Sequence, residues 1–176
     1  ARKIIRVNFR RRGINIYEGM RCREIGAGIV RLSEGREIPA DMVFLATGTI
    51  PPPLFRESGL PAGPDGGLLV NEYLQTVGFP DIFGGGDCIH FSPLPLKKVG
   101  VHAVRQNPVL FHNLLAWAEG RALKRFIPGG GYLLVLNLGG GKGVFWRNAL
   151  VFNGRPAFFI KDYIDRRFMK RFQTTD

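Results

Sequence analysis

The stretch Asp81-Ile82-Phe83-Gly84-Gly85-Gly86-Asp87-Cys88 constrains this chain more than any other. An apolar pair leads into consecutive glycines and one acid. Glycine lets a backbone approach a neighbour closely, because no Cβ stands in the way. A carboxylate just beyond the glycines is placed to accept hydrogen bonds from sugar-like hydroxyls. Taken alone, the stretch also reads as a Gly-rich turn capped by an aspartate in any α/β protein.

A second segment lies upstream: Asp41-Met42-Val43-Phe44-Leu45-Ala46-Thr47-Gly48, then Thr49-Ile50-Pro51, with Gly35 and Ile38 before it. The unbroken apolar run from Met42 to Ala46 predicts a buried strand, with Thr47 and Gly48 at its tip. Val70 and Leu74-Gln75-Thr76 lie between the two segments. Together the pieces resemble the ATG and GD segments of the two-dinucleotide-binding-domain flavoproteins, the pyridine nucleotide-disulfide oxidoreductase superfamily. Type II NADH dehydrogenases and sulfide:quinone reductases belong to that group. The usual pattern is Thr-x-x-Pro-x-Ile-Phe-Ala-x-Gly-Asp. Here one extra residue separates Thr76 from Pro80, and Gly84 replaces the alanine. The stretch from Lys161 to Met169 is similar to the ending of NADH dehydrogenase-like proteins fused to, or neighbouring, selenophosphate synthetase.

The resemblance implies an α/β fold with an α+β C-terminal lobe: partial FAD/NAD(P)-binding Rossmann-like domains plus a small antiparallel sheet and helix. It assigns residues 1–48 to the end of an NAD(P)H-binding domain, 49–120 to the second segment of an FAD-binding domain, and 121–176 to a C-terminal interface domain. It implies FAD and NAD(P)H as cofactors, with hydride passing to the flavin and electrons leaving to a quinone or another acceptor. The cofactor-contacting positions would be Thr47, Gly48, Gly86, Asp87, Cys88, Lys98 and Val99. Asp87 would hold the ribityl chain. The Cys88 backbone and a helix starting near Val99 would stabilise added negative charge, since a helix N-terminus offers free N–H groups. Lys98 would add positive charge. Gln106, in Ala103-Val104-Arg105-Gln106, resembles the acceptor-side glutamine of type II NADH dehydrogenases. Its plainer reading is a polar residue on the exposed face of an amphipathic helix.

A complete enzyme of this kind also needs G-x-G-x-x-G after its first strand and again for the nicotinamide cofactor. Neither is present; Gly26-Ala27-Gly28 and Gly139-Gly140-Gly141 do not continue correctly. The chain is therefore expected to be a fragment, inactive by itself and weak in FAD binding.

The formal net charge of +11, from 25 Lys plus Arg against 14 Asp plus Glu, favours an anionic partner. This supports a rival reading: a basic non-catalytic module that binds RNA or another polyanion. It leaves the two linked motifs unexplained, so nucleic acid ranks below the cofactors. Cys22 and Cys88 lie far apart and form no C-x-x-C pair. His90, His102 and His112 show no metal-ligand spacing, and no metal site is expected. Without an apolar run of about 18 residues, no membrane-spanning helix is expected. The expected location is the cytoplasm, with a peripheral position at the inner face of the membrane also compatible. A basic aromatic C-terminal helix could lie on a membrane surface or form a homodimer interface.

Periodicity predicts a helix tail ending at Gly13, a short strand at 14–17, and strands at 22–25 and 28–32, with a hairpin turn at 33–36. One helical turn is expected at 54–58 and a strand at 68–70. A helix is predicted over 99–120, broken or kinked at Pro108, with Leu110, Leu114 and Trp117 on one face. Three antiparallel strands are expected at 132–136, 143–146 and 149–152. The last element, 158–172, is predicted helical with Ile160, Ile164, Phe168 and Phe172 spaced four apart.

Overall fold

The computed structural model describes residues 1–170. The fold is mixed α/β, and the chain forms two compact units. One unit is Leu45–Gly130; the other combines Ala1–Phe44 with the described part of Gly131–Asp176.

In the discontinuous unit, α1 (Arg2–Arg11) ends at Arg12, followed by Gly13 in the left-handed region at φ 69°. Next comes a meander: β1 (Cys22–Gly26), β2 (Ile29–Leu32) and β3 (Glu37–Pro39), all antiparallel. The expected turn at 33–36 is a tight 3₁₀ turn over Ser33–Gly35. The C-terminal part is β8 (Leu134–Gly139), β9 (Lys142–Arg147) and β10 (Leu150–Gly154), with α4 (Arg155–Lys170) laid across the sheet. Gly139, Gly140 and Gly141 all have positive φ, so this hairpin needs the residue type that enters that region without strain. Val144 and Ala157 are buried where α4 meets β9. A Cβ on Gly143 would lie 3.0 Å from the Phe158 nitrogen, so glycine permits that close crossing. Arg12 Nη1 donates to the Leu138 carbonyl at 2.7 Å and ties α1 to β8.

The continuous unit carries α2 (Leu54–Glu57), β4 (Leu68–Val70), β5 (Gln75–Thr76), β6 (Phe79–Phe83), β7 (Ile89–Phe91) and α3 (Gly100–Ala118). Its sheet runs β6-β5-β4-β7, antiparallel except for the parallel β4–β7 pair. Leu68, Val70, Leu74, Ile89, Phe91 and Phe126 form the core, with Val109 and Leu110 of α3 packed against it. The Phe91 and Phe126 rings meet edge to face at 5.3 Å, the arrangement their quadrupoles favour.

Several expectations are corrected. Residues 14–17 form no strand. Neither does 42–46, where Met42, Phe44 and Leu45 are all more than 70% exposed. A buried strand needs neighbours that accept its hydrogen bonds and cover its faces, and the described residues supply none there. Pro108 does not break α3, which runs through it. Proline removes the N–H that would meet the Val104 carbonyl, and Val104 is exposed. Leu114 and Trp117 are also exposed; α3 instead buries Gln106, Asn113 and Ala116. Strands β3, β5, β6 and β7 are additions to the elements that periodicity predicts; β3, β5 and β7 are too short at two or three residues to show a period, and Pro80 interrupts β6. Phe172 of the last predicted helix lies outside the described residues.

Candidate functional site

Strand β6 delivers the chain to Gly84 and Gly85, after which Gly86–Cys88 makes a single 3₁₀ turn into β7. The glycines serve packing here. A Cβ on Gly84 would lie 2.7 Å from Ile89 Cγ2, and one on Gly85 would lie 3.1 Å from Leu110 Cδ2. Gly86 has φ 78°, a conformation that a side chain strains, and its Cα faces Ala103 of α3.

Gln106 fixes this turn. The residue is 2% exposed, and its Oε1 accepts the Gly86 N–H at 2.5 Å. A polar residue in mid-helix is thus buried because it satisfies a backbone donor in the loop it faces. Its carboxamide oxygen is committed to the protein's own turn. Cys88 Sγ lies 3.1 Å from the Gly85 carbonyl, a further contact within the turn.

Asp87 is half-buried and, among the described residues, its carboxylate makes no hydrogen bond or ion pair. The N-terminus of α3 lies beside the turn. Val99 is its N-cap, extended at φ −142°, with no side-chain cap and no acid in the first turn. The His102 N–H turns back to the Val99 carbonyl at 3.0 Å, which leaves the N–H groups of Gly100 and Val101 for an outside acceptor. His102, in that first turn, is held below the ordinary imidazole range. Burial is the main cause, with Arg105 adding repulsion and Asp87 opposing both.

Lys98 precedes the N-cap but turns away from it. Its Nζ lies 2.9 Å from Asp65 Oδ2 and also donates to the Ile89 carbonyl. Asp65 Oδ1 is 3.0 Å from His90 Nδ1 and accepts the Gly67 N–H at 3.1 Å. Burial alone would raise the Asp65 carboxyl; the Lys98 hydrogen bond, the Gly67 N–H, the Lys98 charge and His90 outweigh it and bring its pKa down to about 2. Asp65 carries no sequence signal beyond its place in the turn Pro64-Asp65-Gly66-Gly67.

The structure therefore brings Gly86, Asp87, Cys88 and Gln106 together at the start of α3, with Val99 at the helix N-cap and Lys98 just before it. Thr47 and Gly48 stand apart, on an exposed stretch outside any strand or helix, Gly48 at φ 98°. Arg105 Nη1 donates to the Pro128 and Gly130 carbonyls, holding α3 to the segment beyond it.

Comparison with known proteins identifies relatives of the chain as a whole. The profile of the family described as pyridine nucleotide-disulphide oxidoreductase matches residues 1–113. Ferroptosis suppressor protein 1 of Taeniopygia guttata is 32% identical over 118 residues, covering 66% of this chain and 31% of that protein. An NADH oxidase of Enterococcus faecalis is 33% identical over 113 residues, 58% of this chain and 25% of its own length. The chain thus spans about a third or less of these relatives. Among solved structures, a FAD-dependent pyridine nucleotide-disulphide oxidoreductase from Desulfovibrio vulgaris superposes with a TM-score of 0.63 at 27% identity, over 81% of this chain and 36% of that one. The sulfide:quinone oxidoreductase of Aquifex aeolicus shares the fold over 96% of this chain and 44% of its own, with a TM-score of 0.70 at 18% identity.

Proposed function

This chain belongs to the pyridine nucleotide-disulphide oxidoreductase family, and from that premise we propose that it is the rear portion of a flavin-dependent NAD(P)H oxidoreductase. Residues 1–48 close the nicotinamide-binding domain, 49–120 supply the second flavin-binding segment, and 121–176 form the interface lobe. The observation that carries this reading is the free Asp87 carboxylate beside the uncapped start of α3, on a turn clamped by Gln106. That donor and acceptor set fits a flavin. Asp87 would accept hydrogen bonds from hydroxyls of its side chain, and the N–H groups after Val99 would stabilise negative charge on it. A bound flavin takes a hydride equivalent from NAD(P)H and passes electrons to an acceptor.

The protein's part is positioning. Gln106 sets the Gly86 turn and therefore the direction of Asp87. The helix start supplies positive potential, and burial lowers the His102 imidazole so that it adds less charge there. Thr47 and Gly48 join the same site once their strand is paired. The acceptor is a quinone or another small oxidant. Phe159, Tyr163 and Met169 are exposed on α4 and support a lobe that meets a second copy or a membrane surface. Among the described residues, no helix is long and apolar enough to cross a membrane.

The test is the visible flavin absorbance of the purified chain, alone and joined to the preceding sequence of its parent protein. Flavin retained stoichiometrically only in the longer protein is the expected result. Absence of flavin from both removes the reading and moves a basic polyanion-binding module forward.

A further inference from the structure

The Asp65 loop, strand β7 and the residue before the α3 N-cap meet at one carboxylate. Asp65 lies in the loop before β4, His90 is in the strand that leaves Asp87, and Lys98 is the residue before the α3 N-cap. The contacts are 2.9 Å to Lys98 Nζ and 3.0 Å to His90 Nδ1. The Lys98 and His90 side chains are only 16% and 12% exposed. Two glycines make the approach possible. A Cβ on Gly63 would lie 2.2 Å from His90 Cγ, and one on Gly67 would lie 2.6 Å from the Ile89 carbonyl carbon. The loop is therefore shaped to bring Asp65 to this place.

The α3 start needs such an anchor. It has no side-chain cap, and the stretch leading to it contains Pro93 and Pro95, which fix their own φ and lack N–H donors. Lys98, one residue before the cap, is held twice, by Asp65 and by the Ile89 carbonyl.

We propose that Asp65 is a positioning residue of the flavin site, acting through Lys98. It pins the start of α3 against β7, and its negative charge neutralises an ammonium that would otherwise raise the positive potential at the helix N-terminus. The proposal deepens the flavin reading above and rests on it. Asp65 touches no reacting atom; it sets where the helix start lies and how much cationic charge reaches it. Asp65→Asn keeps the side-chain shape and an oxygen for the Gly67 N–H, but it sets an amide NH2 where Oδ2 meets Lys98, so the charge and the Lys98 tie are removed together.

The experiment uses the flavin-loaded full-length protein with D65N, K98M and the double variant. The flavin midpoint potential is measured by spectroelectrochemical titration, alongside thermal melts. The expected result is a positive shift of the potential in D65N. It should be much smaller in D65N/K98M relative to K98M, where only the direct loss of the Asp65 charge remains and no freed ammonium can swing toward the helix start. A melting temperature that falls while the potential stays fixed would show Asp65 to be merely structural and overturn the proposal. A shift in D65N that is undiminished with Met at position 98 would also overturn it, since Asp65 would then act on the flavin directly and not through Lys98. Full-length wild-type protein without flavin defeats the underlying flavin reading itself, an outcome distinct from either.

Discussion

Asp87 and Gln106 occupy one loop–helix junction, yet their substitutions should behave oppositely. The Asp87 carboxylate bonds to no group among the described residues, so Asp87→Ala should leave the melting temperature unchanged. In the full-length protein it should weaken flavin binding by about 1.5–3 kcal/mol, roughly tenfold to a hundredfold, as charge-assisted hydrogen bonds do. Flavin titration beside a thermal melt checks both halves. Gln106→Leu should instead orphan the half-buried Gly86 N–H and cost about 1–3 kcal/mol of stability, read from the urea midpoint. An equal stability loss in both variants would contradict this division of labour. The sequence motif discloses Asp87, because a glycine run ending in an acid is a local pattern. The Gln106 bond spans 20 positions, and no local pattern reports a side chain that folds back on a distant backbone group.

At the scale of elements, α3 shows why periodicity misleads. Apolar spacing selects Leu114 and Trp117, but the inward face carries Gln106 and Asn113 beside Ala116. Asn113 is fully buried. Its Nδ2 donates to the Tyr73 and Lys124 carbonyls and its Oδ1 accepts the Lys124 N–H, each at 2.8 Å. Those bonds hold the chain after α3 where Phe126 enters the core. Asn113→Ala should therefore cost about 2–4 kcal/mol, the sum of three net hydrogen bonds, and deprotect the 124–126 amides in hydrogen exchange. The turns and strands that do emerge from sequence, such as the β8–β9 and β9–β10 hairpins, rest on local rules: apolar strand residues and a residue that tolerates positive φ, glycine at 139–141 and Asn148. The 42–46 strand fails because strand formation depends on partners, which sequence character cannot supply.

For the whole molecule, pH is the most direct probe of the site's electrostatics. Asp65 has a depressed pKa of about 2 against an ordinary 3.8, so its contribution to stability is complete above the ordinary value and is lost as pH falls toward 2. Asp65→Asn should flatten the urea-midpoint profile in that acid window. His102 is also lowered, from 6.5. The unfolded chain therefore takes its proton first, and stability declines as pH drops below 6.5; His102→Gln should remove that shallower decline. The exposed run from Met42 to Ile50 has a different consequence. A stretch outside any sheet or helix, bearing Met42, Phe44, Leu45 and Ile50 open to water, leaves apolar side chains on which another chain can pair. Produced by itself, the polypeptide should be limited less by folding than by self-association seeded at this one ribbon, so its yield in soluble form should rise when charges are placed along it.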